Sequence, residues 1–331
     1  VSALNPAFWT SKRVLVTGAT GLVGSWLTRR LVDLGVYTVV LIRDQDPQSE
    51  LMRSGTLSRV SVVNGALEDY ATLERAINEH EIDTVFHLGA QTIVGTALRS
   101  PLPTFEANIR GSYNLFEACR VHRSLVQRVL VASSDKAYGD SAVLPYTEAM
   151  PVGGQHPYDV SKSCTDLLAQ TYSHTYDLPV VVARCGNIYG GGDLNWSRII
   201  PGTIRSLLAG QAPLIRSDGT LTRDYVYVED AVDAYLLMAE AAEREGVRGE
   251  VFNFGPDKPR SVLDVTAALQ RIMHREHLIP VIQNRARAEI QDQYLDSRKA
   301  ERVLGWRPQR EFDDGLKRTV AWYEDFLGAS T

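Results

Sequence analysis

Apolar residues fall in short runs separated by longer stretches in which they recur at helical spacing. The runs Arg13–Thr17, Tyr37–Ile42, Val60–Val63, Thr84–Leu88, Val126–Ala132 and Val180–Arg184 predict strands. Between the first two lies the helical pattern Ser25–Leu34, closed by Gly35, and two longer helices are predicted around Thr104–Val121 and Tyr158–Tyr176. Strands alternating with helices predict a doubly wound parallel sheet of the α/β class.

From about Asn187 the rhythm changes. A Gly-rich stretch, GGGDLNW, is followed by a helix near Ile204–Leu208, a strand near Asp224–Val228 and a helix near Asp230–Ala242. A strand near Val251–Phe254 and a helix near Ser261–Met273 come next, with Pro201, Pro213, Pro256, Pro259 and Pro280 interspersed. Residues 1–186 are expected to form mainly a dinucleotide-binding domain and 187–331 a smaller α/β substrate-binding region, with the chain crossing between them. No repeat or low-complexity linker separates the two, so the cleft between them is the expected substrate site.

Composition narrows the function classes. A chain of 331 residues, 44% of them hydrophobic, is long enough to bury a large core. The net charge of −5, with Lys and Arg scattered rather than in blocks, speaks against nucleic-acid and anionic-membrane partners. Cys119, Cys164 and Cys185 are odd in number and lack metal-ligand spacing, which fits neither a disulfide framework nor a metal site. The opening VSALNPAFWTSKRVLV has no charged region followed by an apolar stretch, and no later segment runs to 18 uncharged apolar residues. A cytoplasmic enzyme is the expectation.

The first chemical signal is Thr17-Gly18-Ala19-Thr20-Gly21-Leu22-Val23-Gly24, which sits between the first strand and the first helix. Glycines at every third position let the backbone turn tightly and approach a pyrophosphate, whose charge meets backbone amides and the positive end of the helix. Gly18, Thr20, Gly21, Leu22, Val23 and Gly24 are therefore candidate NAD or NADP contacts of a Rossmann-type fold. At the end of the second strand, Arg43 suits the 2′-phosphate of NADP and Asp44 the ribose hydroxyls of NAD, and the residues leave both open. His87 reads as a packed core histidine.

The second signal is Tyr158-Asp159-Val160-Ser161-Lys162 at the start of a predicted helix, where a spacing of four puts phenol and ammonium on one face. A lysine cation beside the phenol favours phenolate, which takes a proton from a hydroxyl whose carbon gives up hydride. Ser133 and Ser134 follow a strand at its carboxyl edge, and the Ser134 hydroxyl is placed to bond the reacting oxygen.

Together, TGATGLVG, HLGAQ, NIRGSYNLFEAC, SSDKAYG, YDVSK, RCGNIYG and RDYVYVED resemble, in order, the extended short-chain dehydrogenase/reductase family over nearly the whole chain. Within it, FWTSKRVLVTGATGLVGSWL, the SSDK string and GNIYGGGDLNWSRIIP are similar to CDP-glucose 4,6-dehydratases, while RSDGTLTRDYVYVED is shared with the wider epimerase/dehydratase family. The resemblance implies a nucleotide-diphosphate hexose as substrate and a homodimer built on the two long helices. It favours NAD, with NADP left open by Arg43. Leu67, Leu88, Ala90 and Ser133 would line the dinucleotide. Ala66 stands where the family commonly has an Asp near adenine.

It also implies that Asp135 protonates a departing C6 hydroxyl and Lys136 removes the C5 proton, with Ser134, Tyr158 and Lys162 serving the redox steps. Gln91, Asn187, Arg198, Arg223 and Arg287 become candidate substrate ligands, the arginines because guanidinium forks two phosphate oxygens. The leading expectation is a nucleotide-sugar 4,6-dehydratase. Its alternative is a nucleotide-sugar 4-epimerase, which needs the same cofactor and the same tyrosine.

Overall fold

A computed structural model describes residues 4–285 and 289–328. Strands β1 (Arg13–Thr17), β2 (Tyr37–Ile42), β3 (Ser61–Asn64), β4 (Thr84–His87), β5 (Arg128–Ala132) and β6 (Val180–Cys185) form one sheet with a seventh strand, Val251–Phe254. The order across the sheet is Val251–Phe254, β6, β5, β4, β1, β2, β3, with every neighbouring pair parallel. The chain winds outward from β1 to β3, then starts again at β4 and winds the other way. The reversal leaves a crevice at the carboxyl ends of β1 and β4, where Thr17 is in register with His87.

The central strands lack polar alternation because helices cover both faces. All four residues of β4 and all six of β6 are buried. Along β1, Leu15 packs on one face with Val39, Val85, Phe116 and Val129, while Val14 and Val16 pack on the other with Leu27, Leu31, Phe86 and Met238. A third apolar cluster, including Ile204, Tyr227, Leu269, Leu316 and Tyr323, holds together the elements beyond β6.

The sequence pattern and the structure differ informatively at two helices. The helix after β1 spans Leu22–Asp33 and so begins inside the Gly-rich motif, with Gly21 as its N-cap. Ser25 belongs to its first turn, and its hydroxyl bonds the Gly21 carbonyl at 2.7 Å. The expected continuous helix Thr104–Val121 is instead an α-turn Pro101–Phe105, a π-turn Glu106–Arg110 and a helix Gly111–Val121. The widening has a cause at Asn108, whose carbonyl accepts bonds from the Ser112 and Thr165 hydroxyls and whose amide reaches Ser161 at 2.8 Å. Among the described residues no helix is long and apolar enough to cross a membrane.

Candidate active site

The Gly-rich turn fits a dinucleotide. Gly18 has φ +73, and a Cβ there would come within 2.7 Å of the Gly89 backbone at the end of β4. A Cβ on Gly24 would collide with the Gly18 carbonyl, because helix and strand pack at glycine distance. The N-cap Gly21 carries no side chain to satisfy the first helical amides, which leaves them for an anion. Thr20, Leu22 and Val23 flank this turn and are partly exposed.

Around the turn, Gly89 donates its N–H to Thr17 Oγ1 at 3.0 Å, and Leu67 packs against both Gly89 and Gly111. Leu88 and Ala90 follow β4 at the same crevice. His87 is buried between the Thr17 and Ser112 hydroxyls, 3.0 Å from each, and burial with the nearby Lys162 charge drives its pKa down to about 3. It is a neutral core imidazole. Arg43 and Asp44, which offered rival readings of the cofactor, bond each other at 2.6 Å on the exposed end of β2.

The second half of the site stands on the helix Pro157–Tyr176, with Tyr158 and Lys162 in its first turns. A buried bidentate pair, Arg184 to Asp166 at 2.8 Å for both bonds, ties this helix to β6. Burial pushes the Tyr158 phenol up to about 12, with Arg198 pulling it down and Asp135 and Asp159 pushing it further up. A Ser134 hydrogen bond also lowers it.

The Tyr158/Lys162 expectation needs correcting on one point. The Lys162 ammonium donates to the Ala132 carbonyl at 2.8 Å, and the foremost cation acting on the phenol is Arg198. The helix puts both side chains on one face, but the open carbonyl at the end of β5 captures the ammonium. Burial brings the Lys162 pKa down to about 8, against the opposing pull of Cys185 and Asp166.

The loop after β5 supplies the remaining groups. Ser133 is buried, and among the described residues its hydroxyl has no partner. Ser134 Oγ donates to Asp135 Oδ1 at 2.9 Å and accepts the Lys136 N–H at 3.2 Å, so it caps the short 3₁₀ turn Asp135–Tyr138. Asp135 is 2% exposed, and its Oδ2 has no partner among the described residues. Burial raises its pKa, opposed by Lys136, the Ser134 bond and Arg223. Lys136 is half-buried and its ammonium points to Gln293 Oε1 at 3.4 Å.

The candidate substrate ligands divide. Asn187 opens the strand Asn187–Tyr189, bonded to the Asp224 carbonyl through its N–H at 3.0 Å. Arg198, the N-cap of the helix Ile199–Leu208, pairs with Asp193 at 2.9 Å and acts on Tyr158. The Gln91 amide instead folds back on the Ile93 backbone at 2.6 and 3.3 Å.

Arg223, expected to fork a diphosphate, is buried. Its Nη1 donates to the carbonyls of Thr222 and Gln291, and its Nη2 to the Ile290 carbonyl at 2.6 Å and to Glu289 at 3.3 Å. The neighbouring segment 289–291 supplies acceptors that sequence spacing could not show. Arg287 lies outside the described residues.

Two groups were not singled out from sequence. Asp224 is fully buried, accepts the Leu295 N–H at 2.7 Å, has no partner for Oδ1 among the described residues and has its pKa raised to about 7, chiefly by burial. It lies within RDYVYVED, but nothing in that string separates it from its neighbours. Gln293 carries no motif at all.

A nucleotide-type turn on a doubly wound sheet, facing a Ser/Tyr/Lys cluster across the crevice, defines an extended short-chain dehydrogenase/reductase. The family model described as GDP-mannose 4,6 dehydratase matches residues 15–319, and the chain belongs to that family.

Among relatives, it is 30% identical to a trifunctional UDP-glucose 4,6-dehydratase/UDP-4-keto-6-deoxy-D-glucose 3,5-epimerase/UDP-4-keto-L-rhamnose-reductase of Arabidopsis thaliana, over 94% of this chain and 47% of that one. The chain thus spans about half the length of the plant relatives it matches. It is 29% identical to CDP-glucose 4,6-dehydratase of Salmonella typhimurium, over 97% of this chain and 92% of the relative.

Two solved structures superpose closely. One is UDP-glucose 4-epimerase of Thermotoga maritima with UDP-glucose (TM-score 0.86, 29% identity, 95% of this chain and 99% of that one). The other is dTDP-glucose 4,6-dehydratase of Streptomyces venezuelae with NAD and TYD (TM-score 0.85, 28% identity, 96% and 98%).

Proposed function

We propose that the protein is an NAD-dependent nucleotide-sugar 4,6-dehydratase that converts a nucleoside-diphosphate hexose into its 4-keto-6-deoxy sugar. The observation that carries this reading is Asp135. It is a buried carboxyl with a raised pKa and one unpartnered oxygen, one bond from Ser134 and beside a lysine. Simple oxidation and re-reduction at C4 has no use for an acid and a base there, whereas elimination of water across C5 and C6 requires both.

The residues fit NAD through the Gly18–Gly24 turn, the exposed Asp44 and the unpartnered Ser133 hydroxyl. When bound, NAD supplies a hydride acceptor at C4 and later a donor at C6. Tyr158 exchanges the C4 hydroxyl proton. Its phenol is protonated at rest and ionises more readily when positive charge enters the pocket. Ser134 orients the same oxygen.

The 4-ketone makes the C5 proton acidic. Lys136 takes that proton, the C5–H electrons pass into the C4–C5 enolate and then into a C5–C6 double bond, and the C6–O bond breaks. Asp135 gives its proton to the leaving oxygen, so water departs. Hydride at C6 and a proton at C5 complete a redox-neutral sequence.

Residues 187–331 would supply most of the nucleotide-sugar seat, with Asn187 and Arg198 toward the diphosphate. Two copies would pair through the helices Gly111–Val121 and Pro157–Tyr176. A reducing, cytoplasmic setting fits the three free cysteines, of which Cys119 and Cys185 are buried.

Incubation with CDP-, dTDP-, UDP- and GDP-hexoses tests the reading. A 4-keto-6-deoxy product that has lost the elements of water is expected from one of them. A C4 epimer retaining its C6 oxygen would establish epimerisation instead.

A further inference from the structure

Lys136 reaches the site on a four-carbon stem with many rotamers, yet a base must be aimed closely at the proton it removes. Among the described residues its ammonium makes one side-chain hydrogen bond, to the Gln293 carboxamide oxygen at 3.4 Å. Gln293 is fully buried. It lies in the two-residue strand Asp292–Gln293, opposite Arg223 in the Thr222–Arg223 strand, and Arg223 fixes the chain just before it through the Gln291 and Ile290 carbonyls.

Among the described residues the nitrogen of the same amide has no partner, and neither does Asp135 Oδ2 on the residue next to Lys136. A side chain that only filled this space would be better apolar, because a buried donor without an acceptor is destabilising. An unsatisfied amide beside the base has a use if its free N–H meets an oxygen of the substrate.

Building on the dehydratase reading, we propose that Gln293 is a positioning residue for the elimination, its carboxamide oxygen aiming the Lys136 amine at C5 and its N–H donating to a hydroxyl or carbonyl oxygen of the hexose. Gln293 itself exchanges no proton. The C5 proton goes to Lys136 and the leaving hydroxyl is protonated by Asp135, as above. The Arg223 fork contributes by holding the 289–291 segment from which Gln293 projects.

The experiment compares wild type, Gln293→Leu, Lys136→Met and the double variant in two assays. One is single-turnover formation of reduced dinucleotide, which reports C4 oxidation. The other is wash-in of solvent deuterium at C5 together with water loss, which reports elimination. Gln293→Leu is expected to slow elimination roughly ten- to hundredfold while C4 oxidation, read at saturating nucleotide sugar, declines far less. In the Lys136→Met background its further effect should be much smaller than in wild type, because two residues acting as one unit are not additive.

Wild-type elimination by Gln293→Leu, an equal decline of both half-reactions, or the same loss in the Lys136→Met background would each overturn the proposal. Should Gln293→Leu not fold, Gln293→Met, unbranched and of similar length, is read in the same assays. A wild type that releases water from no nucleotide hexose removes the dehydratase reading and this proposal together. An unaffected Gln293 variant beside an active wild type removes this proposal alone.

Discussion

At Tyr158 a single hydroxyl carries the proposed redox chemistry. Tyr158→Phe should therefore lower turnover by roughly 10²–10⁴-fold while leaving nucleotide-sugar affinity intact, as read by steady-state kinetics beside calorimetric binding. Asp135 is useful only while protonated. Its raised pKa keeps the acid present above the ordinary carboxylate range, and the elimination rate should fall as pH rises through that value. Asp135→Asn should cut elimination by about 10²-fold or more and erase that alkaline limb from the pH–rate profile.

Asp224 makes a prediction about stability rather than rate. Its folded pKa is about 7, whereas an unfolded carboxyl titrates near 3.9. Between these values the unfolded chain releases the proton and the folded chain keeps it, so stability declines as pH rises from about 4 to about 7 and then levels off. Asp224→Asn retains an acceptor for Leu295 and should flatten this decline, with a Tm advantage over wild type that is larger at pH 8 than at pH 4.

Whole elements depend on two tight joints. Gly18 combines a left-handed φ with contact to the Gly89 backbone, so Gly18→Ala both strains the turn and presses β1 from β4. A cost of about 1–3 kcal/mol is expected from the backbone conformation alone, seen as a lower Tm together with weakened dinucleotide binding. The second joint is Arg184 with Asp166, which fastens the Pro157–Tyr176 helix to β6. Arg184→Met leaves a fully buried carboxylate without its cation and should cost about 3–5 kcal/mol in chemical denaturation. Arg184→Met with Asp166→Leu should recover part of that loss, since the pair is then replaced by apolar packing.

For the molecule as a whole, the helices Gly111–Val121 and Pro157–Tyr176 present Tyr113, Leu167 and Tyr176 as exposed large side chains, and Leu102 of the neighbouring turn Pro101–Phe105 is 65% exposed. Pairing of two copies across this face would cover them, and sedimentation at working concentration should give a dimer. A monomer at all concentrations would overturn the pairing. The sheet reverses direction between β1 and β4, and the turn after β1, the loop after β5 and the start of the Pro157–Tyr176 helix all open on the same edge.

The strands β1 and β2 and the strand Val251–Phe254 were legible to the residue, and most helices to within a few residues, because burial on both faces of a parallel sheet writes unbroken apolar runs into the chain. The placement of Gly18–Gly24, Ser134 and Tyr158 was legible for the same local reason, since each sits at a fixed offset from a strand or helix end. What no spacing could show is which partners a side chain finds across the fold. The Ala132 carbonyl takes the Lys162 ammonium, the 289–291 carbonyls take the Arg223 fork, Asn108 widens its helix, and Gln293 arrives beside Lys136 from 157 positions away. Sequence periodicity reports burial and local geometry, which depend on neighbours along the chain. Hydrogen bonding and charge depend on neighbours in space, and those only the tertiary structure decided.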